Sequence, residues 1–237
     1  RRQRQMCIRD SHIIVDNIRH LPQNILYLNA RMLNIPGVWH PASYFGYSVS
    51  QKFWGNKYNW MAGVGLRGDH ALEDYSELLQ ELKQEYPSLF SQVENEEYKY
   101  YLEGITFLIN AGFFYHPNRQ ENTSFVVLKK AFEKNDPFLF FNKEDPDARE
   151  LIFKHEQLKD EIRILTETAL KEGHFFEDIP LVTFKCHTPH YIVGIIAGNL
   201  VKKNPNLVAV VGSDYEEEMG IEIRRGEESD VDLVDLL

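Results

Sequence analysis

One segment, residues 147–171, constrains the fold of this 237-residue chain most strongly. Its apolar positions alternate spacings of four and three and form one narrow stripe, made of Leu151, His155, Leu158, Ile162, Leu165 and Ala169. This spacing predicts a helix of about 25 residues, which at a rise of 1.5 Å per residue is about 37 Å long. The other faces are charged, so the helix is either a coiled-coil arm or a connector between two lobes. We favour the connector, with Gly173 as its C-cap, because a new strand and helix pattern begins directly afterwards.

That following pattern predicts a small second α/β domain. Strands are expected over Leu181–Phe184, Leu207–Val211 and Met219–Arg225, and a helix over Tyr191–Lys203. The helix has a wide apolar face, typical of a helix that packs on a sheet. The acidic run Glu216–Glu218 falls between two strands, and we interpret it as a solvated turn.

The stretch from His12 to His70 carries the candidate chemistry. It opens with the β-branched run Ile13–Val15, which predicts a buried strand of a parallel sheet and ends on Asp16. Ligands of open α/β sheets bind beyond the carboxyl ends of the strands. A second apolar segment, Trp60–Leu66, is predicted to be helical because of its glycines, and it leads to Asp69. Two carboxylates delivered by separate segments indicate a divalent metal site, because hard cations prefer carboxylate oxygens.

The region between these segments and the connector is predicted to be helical. A helix begins at Ala42 and ends near Phe53, with Ser43 as the expected N-cap. Residues 74–131 repeat apolar side chains at helical spacing. Four aromatic residues there predict an aromatic packing centre rather than a cofactor site: Phe107, Phe113, Phe114 and Tyr115.

Composition limits the class of protein. The net charge of −10 argues against a surface that wraps nucleic acid as a whole, although a local basic groove stays open. The two cysteines, Cys7 and Cys186, provide no disulfide framework, which fits a reducing cytoplasm. No apolar run reaches the roughly 18 residues that a membrane span requires. We therefore expect no membrane contact.

The order of these pieces resembles the DHH phosphoesterases, in particular the RecJ-like nucleases and their archaeal relatives. In that family a strand ends in Asp-His-His, a helix begins near Ser-Ala-Ser, a segment ends in Gly-Asp, and a long helix leads to a smaller C-terminal domain. The matching segments here are 13–18, 41–43, 65–69, 191–197 and 221–224. The resemblance covers nearly the whole chain from His12 onward.

The resemblance implies an α/β fold made of a partial DHH-type parallel-sheet lobe, a helical insertion, a long connector helix and a smaller α/β C-terminal lobe. The corresponding divisions are 12–74, 75–146, 147–173 and 174–237. Residues 1–11 are polar, basic and without period, and we interpret them as an assembly or adapter artefact rather than a basic arm. The upstream aspartates and the glycine-rich histidine loop of the family would lie outside residues 12–237, so we expect a sequence truncated at both ends.

The resemblance also implies a site. Asp16 and Asp69 would be catalytic and would hold Mn²⁺ or Mg²⁺, with Asn17 and His20 as further candidate ligands. The family's two histidines are replaced by Asn17 and Ile18, and neither can supply an imidazole. In the second lobe Arg224 would bind substrate phosphate and close the cleft, with His190 and Asn199 as additional substrate contacts.

Structural alternatives stand beside these roles. Asp16 could cap a turn, Asp69 could N-cap the next helix, and Arg224 could pair with Asp230 or Asp232. The loop histidines His187 and His190 could simply be solvated.

Three functions follow from the resemblance. The first is a metal-dependent phosphoesterase acting on single-stranded nucleic acid or short oligonucleotides. The second is a catalytically inactive DHH-fold protein that binds nucleic acid or a replication protein, and the replaced histidines favour it. The third, hydrolysis of polyphosphate or pyrophosphate, usually needs the intact histidines.

Overall fold

The computed structural model describes residues 41–94, 97–115, 123–176, 178–215, 218–231 and 233. The predicted strand Ile13–Val15 and the segment 1–11 lie outside the described residues. The described chain mixes helices with one sheet of four strands, so the α/β class is confirmed. The DHH-type arrangement of the first lobe and the divisions at residues 12, 75, 147 and 174 stay predictions.

Helices make up the first half of the described chain. They are α1 Ala42–Trp54, α2 Asn59–Gly68, α3 Ser76–Glu85, α4 Tyr101–Phe114 and α5 Thr123–Lys134. Short 3₁₀ turns begin at Pro87 and Pro137, where the fixed φ of proline suits a first helical position. The predictions that 60–66 is helical and that 74–131 is mainly helical are confirmed.

These helices enclose one apolar cluster, which we call the helical core. Its largest fully buried side chains are Trp60, Phe140, Leu66, Leu82, Leu89, Ile105, Leu151 and Val127. The Trp60 indole N–H is satisfied inside the protein, because it donates to Asn135 Oδ1 at 3.2 Å. Burying an apolar side chain of this size contributes about 1.5–3 kcal/mol, so the helical core fixes how α2 to α5 pack.

The long helix is confirmed as α6, Pro146–Glu172. Asp145 caps it, since its carboxylate accepts hydrogen bonds from the backbone N–H groups of Asp147 and Ala148 at 3.0 and 3.1 Å. Leu151 belongs to the helical core, whereas Leu158 and Ala169 belong to a second cluster. These contacts support the connector rather than the coiled-coil arm.

Gly173 is the C-cap of α6, as predicted, but its backbone is not left-handed. Its backbone is extended, with φ −60° and ψ 145°, and its N–H donates to the Ala169 carbonyl at 3.0 Å. A left-handed cap of the kind that requires glycine is absent at this position. A close approach accounts for the glycine instead, because a Cβ here would lie 2.4 Å from the Ala169 carbonyl oxygen.

The second half of the chain forms the sheet β1 His174–Phe175, β2 Leu181–Cys186, β3 Val208–Tyr215 and β4 Glu218–Arg225, in that spatial order. Strands β2 and β3 are parallel and are joined by α7, Val193–Lys203, while the β1–β2 and β3–β4 pairs are antiparallel. The three predicted strands and the predicted helix are therefore confirmed. Two-residue β1 was not predicted because it is too short to show a period.

The apolar face of α7 and one face of the sheet form the second cluster, which we call the sheet core. Its members include Val182, Ile192, Ile196, Leu200 and Val211. The opposite face of the sheet carries Thr183, Lys185, Val210 and Ile221, which line a shallow groove. Strand alternation explains the division, because successive side chains point to opposite faces.

The predicted aromatic packing centre is wrong in part. Phe107 and Phe113 are exposed, and each meets another ring at the surface: Phe107 lies 6.1 Å from Tyr98 and Phe113 lies 5.3 Å from Phe125. Phe114 and Tyr115 instead pack against the sheet core. The four residues occupy different angular positions around α4 and its C-cap, so their rings face different sides of the helix.

Within the described ranges, no helix is both long and apolar enough to cross a bilayer.

Candidate functional site

A cleft of about 350 Å³ opens between α2, α4 and α5. Apolar side chains from these helices line most of it, including Trp60, Val64, Ile109 and Leu128. Its polar groups are Asp69 at the end of α2 and Thr106 and Asn110 on α4. A mostly apolar cleft with a few converging polar groups is the usual form of a small-ligand site. It is therefore the candidate functional site.

The way α2 ends places Asp69 at this cleft. His70 adopts a left-handed backbone conformation, with φ 53°, and the Ala71 N–H donates to the Leu66 carbonyl at 2.8 Å. This is the hydrogen-bond pattern of a Schellman C-terminus. Asp69 is thus the C-cap of α2, and Ala71 is the N-cap of the next turn. The alternative that Asp69 N-caps the following helix is wrong.

The absence of a side chain at Gly65 allows the Ser43 hydroxyl to contact Asp69. A Cβ on Gly65 would lie only 2.6 Å from the Ser43 Cβ, so α1 and α2 can pack this closely only without a side chain there. The close approach puts the Ser43 hydroxyl within reach of Asp69, and it donates to Oδ2 at 3.3 Å. The predicted N-cap role of Ser43 is wrong, because Pro41 is the N-cap of α1 and Ser43 faces α2.

Little positive charge compensates the Asp69 carboxylate. Burial raises the pKa of the Asp69 carboxyl, while the Ser43 hydrogen bond and the charge of His70 partly oppose the rise. Arg67, two residues earlier, pairs with Glu73 at 2.7 Å and with Glu103. No lysine or arginine of the described chain forms an ion pair with Asp69. A cation or a hydrogen-bond donor entering the cleft would stabilise its charged form.

The described residues supply one carboxylate of the predicted metal site. They contain no group of three or more His, Cys, Asp or Glu side chains that could hold a metal ion. Asp16, Asn17 and His20, the other candidate ligands, lie outside the described residues. Asp69 with its Ser43 contact has the hard oxygen chemistry that Mn²⁺ and Mg²⁺ accept, so it fits as one ligand of such a site.

Arg224 lies on β4, and the lining of the Asp69 cleft does not include it. Its Nη2 atom is 3.2 Å from Glu222 Oε2, and both side chains lie against Gly194 of α7. The described partner of Arg224 is therefore Glu222 rather than Asp230, and Asp232 lies outside the described residues. Alternation along a strand explains the pair, because residues two apart share a face.

The remaining substrate candidates lie near α6. His190 Nε2 is 3.5 Å from Glu161 Oε2 of α6, and the ring stacks on Tyr115 at 4.6 Å. Asn199 of α7 donates to Thr166 Oγ1 of α6 at 3.5 Å. His190 is mostly buried by these contacts, whereas His187 is exposed, so the solvated alternative holds for His187 alone.

Sequence reasoning missed Thr106 and Asn110 as cleft residues. They are four apart on α4 and therefore share one face of an otherwise apolar helix. This polar interruption was visible in the sequence. What the sequence did not show is that the face would meet α2, since Thr106 Oγ1 donates to the Val64 carbonyl at 3.3 Å across 42 residues.

The sequence matches no model of a known protein family. A comparison with curated proteins likewise finds no relative.

Proposed function

We propose that this chain is a DHH phosphoesterase-like protein whose Asp69 is a ligand of Mn²⁺ or Mg²⁺ at a phosphodiester of single-stranded nucleic acid or a short oligonucleotide. The observation that carries the proposal is the environment of the Asp69 carboxylate, that is, its burial and its contacts. Its carboxylate is half-buried at a cleft, is held by Ser43, and has no Lys or Arg ion pair among the described residues. A buried carboxylate without compensating charge is costly unless a ligand supplies that charge.

The order of elements supports the family resemblance. A helix begins at Ala42 within Pro41-Ala42-Ser43, a second ends at Gly68-Asp69, and a connector leads to a small α/β lobe with an arginine on its last described strand. These features occur in the family's order. In that arrangement Asp16, with Asn17 or His20, would complete the ligand set begun by Asp69.

Bound metal would supply an activated water and charge stabilisation for a phosphodiester. The described residues would hold and shape the site around it. Ser43 donates to Asp69 Oδ2 and so leaves Oδ1 for a ligand. Thr106 and Asn110 offer a hydroxyl and an amide at the cleft wall, while the partly exposed Ile109 and Leu128 provide apolar contact for a base or sugar.

Metal binding by the Asp69→Asn variant tests the proposal. Calorimetric titration of Mn²⁺ into the full chain should show an affinity that falls about tenfold or more in this variant, because amide oxygen replaces a charged ligand. Asp74→Asn is the matched control, since Asp74 is exposed, lies five residues away and does not line the cleft. Equal Mn²⁺ affinity in the two variants would remove Asp69 from the site and end the proposal.

A second candidate is a protein of the same fold that binds nucleic acid or a replication protein without hydrolysis. Two observations favour it: Asn17 and Ile18 stand where the family has histidines, and Glu222 already pairs with the phosphate-binding candidate Arg224. Fluorescence anisotropy with a labelled single-stranded oligonucleotide, followed by gel analysis of the same sample with Mn²⁺, tests for binding and for hydrolysis. Shortened products would support the first candidate and end the second, whereas intact oligonucleotide is expected of both, because the family's upstream aspartates and histidine loop are expected outside residues 12–237.

The low cysteine count is the basis for proposing a cytoplasmic location for either candidate.

A further inference from the structure

Strand β4 lies at one end of the spatial order of the sheet. Its eight residues, Glu218–Arg225, pair with β3 along one side. No other strand of the described chain pairs with its second side. The strand contains no proline but carries charged side chains, so it can pair with another strand only where the charges of the two are complementary.

The charges on β4 are self-complementary about Ile223. If two copies of β4 pair antiparallel around a two-fold axis at Ile223, Glu222 of one copy lies opposite the partner's Arg224. The partner's Glu222 likewise lies opposite Arg224. Directly opposed residues have Cβ atoms about 4.5–5.5 Å apart, and opposite charges there are favourable. The existing Glu222–Arg224 pair, at 3.2 Å, would become one half of an alternating four-charge cluster.

The opposite face of the same strand is apolar at its centre. Ile221 is 57% exposed, although isoleucine is among the side chains most often buried. In the antiparallel pairing, Ile223 lies opposite its own counterpart, and Ile221 lies diagonal to that counterpart and opposite the partner's Arg225, whose aliphatic stem can cover it. The pairing would therefore remove exposed apolar surface from water on this face.

Helix α7 leaves room for a second copy. It packs on both β3 and β4, so its axis lies above the gap between them. With strands about 4.8 Å apart, two such helices related by the axis would be about 10 Å apart, the usual distance between packed helices. Gly198 has open space where its Cβ would be, and Gly194, one turn earlier, lies against Glu222 and Arg224 of β4.

We propose that two copies of this chain associate by antiparallel pairing of their β4 strands around Ile223, which joins the two sheets into one. The interface is isologous, as in most symmetric dimers. It does not depend on the proposed metal site, because neither Asp69 nor the cleft takes part in it, although it uses Arg224, the phosphate-binding candidate.

Charge reversal at β4 tests the pairing. In sedimentation velocity from about 1 to 200 µM, the full chain should be a reversible dimer. Glu222→Arg and Arg224→Glu should each place like charges opposite one another and weaken dimerisation about tenfold or more. Arg163→Glu, an exposed reversal on α6, should leave the dimer unchanged.

Mixing the two variants separates a lost interface from a misfolded chain. A strand with arginine at 222 and 224 is complementary to one with glutamate at both positions, so an equimolar mixture should form a heterodimer although each variant alone is monomeric. The double variant Glu222→Arg with Arg224→Glu should dimerise again. A monomeric wild type over the whole concentration range, or a mixture that stays monomeric while circular dichroism shows folded chains, would overturn the proposal.

Discussion

Two candidate residues, Asp69 beside the helical core and Arg224 beside the sheet core, differ in their charge partners. Beside the helical core, Asp69 is half-buried, and its carboxylate accepts one hydrogen bond from the Ser43 hydroxyl. Beside the sheet core, charged side chains pair with each other at the surface, as Lys185 does with Asp214 at 2.8 Å and Arg224 does with Glu222 at 3.2 Å. A half-buried carboxylate without an ion pair is a candidate ligand position, whereas a satisfied surface pair is compatible with structure or association.

Backbone geometry explains the difference. Helices meet at angles and touch along limited contacts, so three of them can leave a cleft at the end of α2. In a strand, residues i and i+2 lie on the same face, so oppositely charged side chains at these positions can form an ion pair within one strand. Helix α6 joins the two regions, since it contributes side chains to both cores.

The largest expected effects test whether the two cores unfold together. Trp60→Ala in the helical core should lower the free energy of unfolding by about 3–5 kcal/mol, and Ile196→Ala in the sheet core by about 2–5 kcal/mol. Because α6 packs into both, urea unfolding followed by circular dichroism should show one transition in each variant. Two separate transitions, only one of which moves in each variant, would show that the cores are independent.

A smaller effect is expected where α1 meets α2. Gly65→Ala would place a Cβ 2.6 Å from the Ser43 Cβ, so α1 and α2 must shift apart. Such overpacking should cost about 1–3 kcal/mol and should also weaken Mn²⁺ binding, because Ser43 moves away from Asp69. Gly198→Ala is the matched control, since a Cβ there meets open space. Equal stability of the two variants would contradict the close approach.

The start of α6 should show a cap effect. Asp145→Ala should lower the free energy of unfolding by about 0.5–2 kcal/mol, because two backbone N–H groups lose their acceptor. Asp145→Asn retains a capping oxygen and should lose less, which isolates the contribution of the Lys130 ion pair. Urea titrations of the three proteins measure both differences, and an alanine variant as stable as wild type would exclude the cap.

The smallest effect should have the opposite sign. Burial raises the pKa of Asp69, so the folded state retains its proton to a higher pH than the unfolded state does, and ionisation at neutral pH destabilises the protein. Without divalent cations, Asp69→Asn should therefore be more stable than wild type at pH 7. The advantage should shrink as the pH falls through the raised pKa of the folded state, and it should be absent below the ordinary aspartate pKa, where both states hold the proton. Thermal unfolding at several pH values checks this, and a destabilised Asp69→Asn protein would point to a structural role.

Local pattern was enough to predict much of the fold. Period and length identified α6 as a helix, the glycines of Trp60–Leu66 favoured a helix at α2, and apolar runs identified β2, β3, β4 and α7. Each of these depends on side chains close in sequence, which is why a single sequence contains the information. Asp69, chosen from the sequence as a candidate metal ligand, lines the cleft between α2, α4 and α5, and its role there stays a prediction.

The contacts that the site residues make could not be predicted from local sequence patterns. Ser43 reaches Asp69 across 26 residues only because Gly65 lets two helices touch. Thr106 and Asn110 join the cleft only because α4 crosses α2. His190 was expected in a loop, yet the contact of that loop with α6 buries it.

The amino-acid sequence by itself determined which segments are helices and strands, where α6 runs, and which lobe carries an acidic and which a basic candidate residue. The tertiary structure decided that Asp69 lies half-buried beside Ser43, that Arg224 is paired with Glu222, and that β4 is the edge of the described sheet. The physical reason is range: periodicity acts over one or two helical turns, whereas burial, charge and edge exposure depend on segments that meet only when the chain is folded.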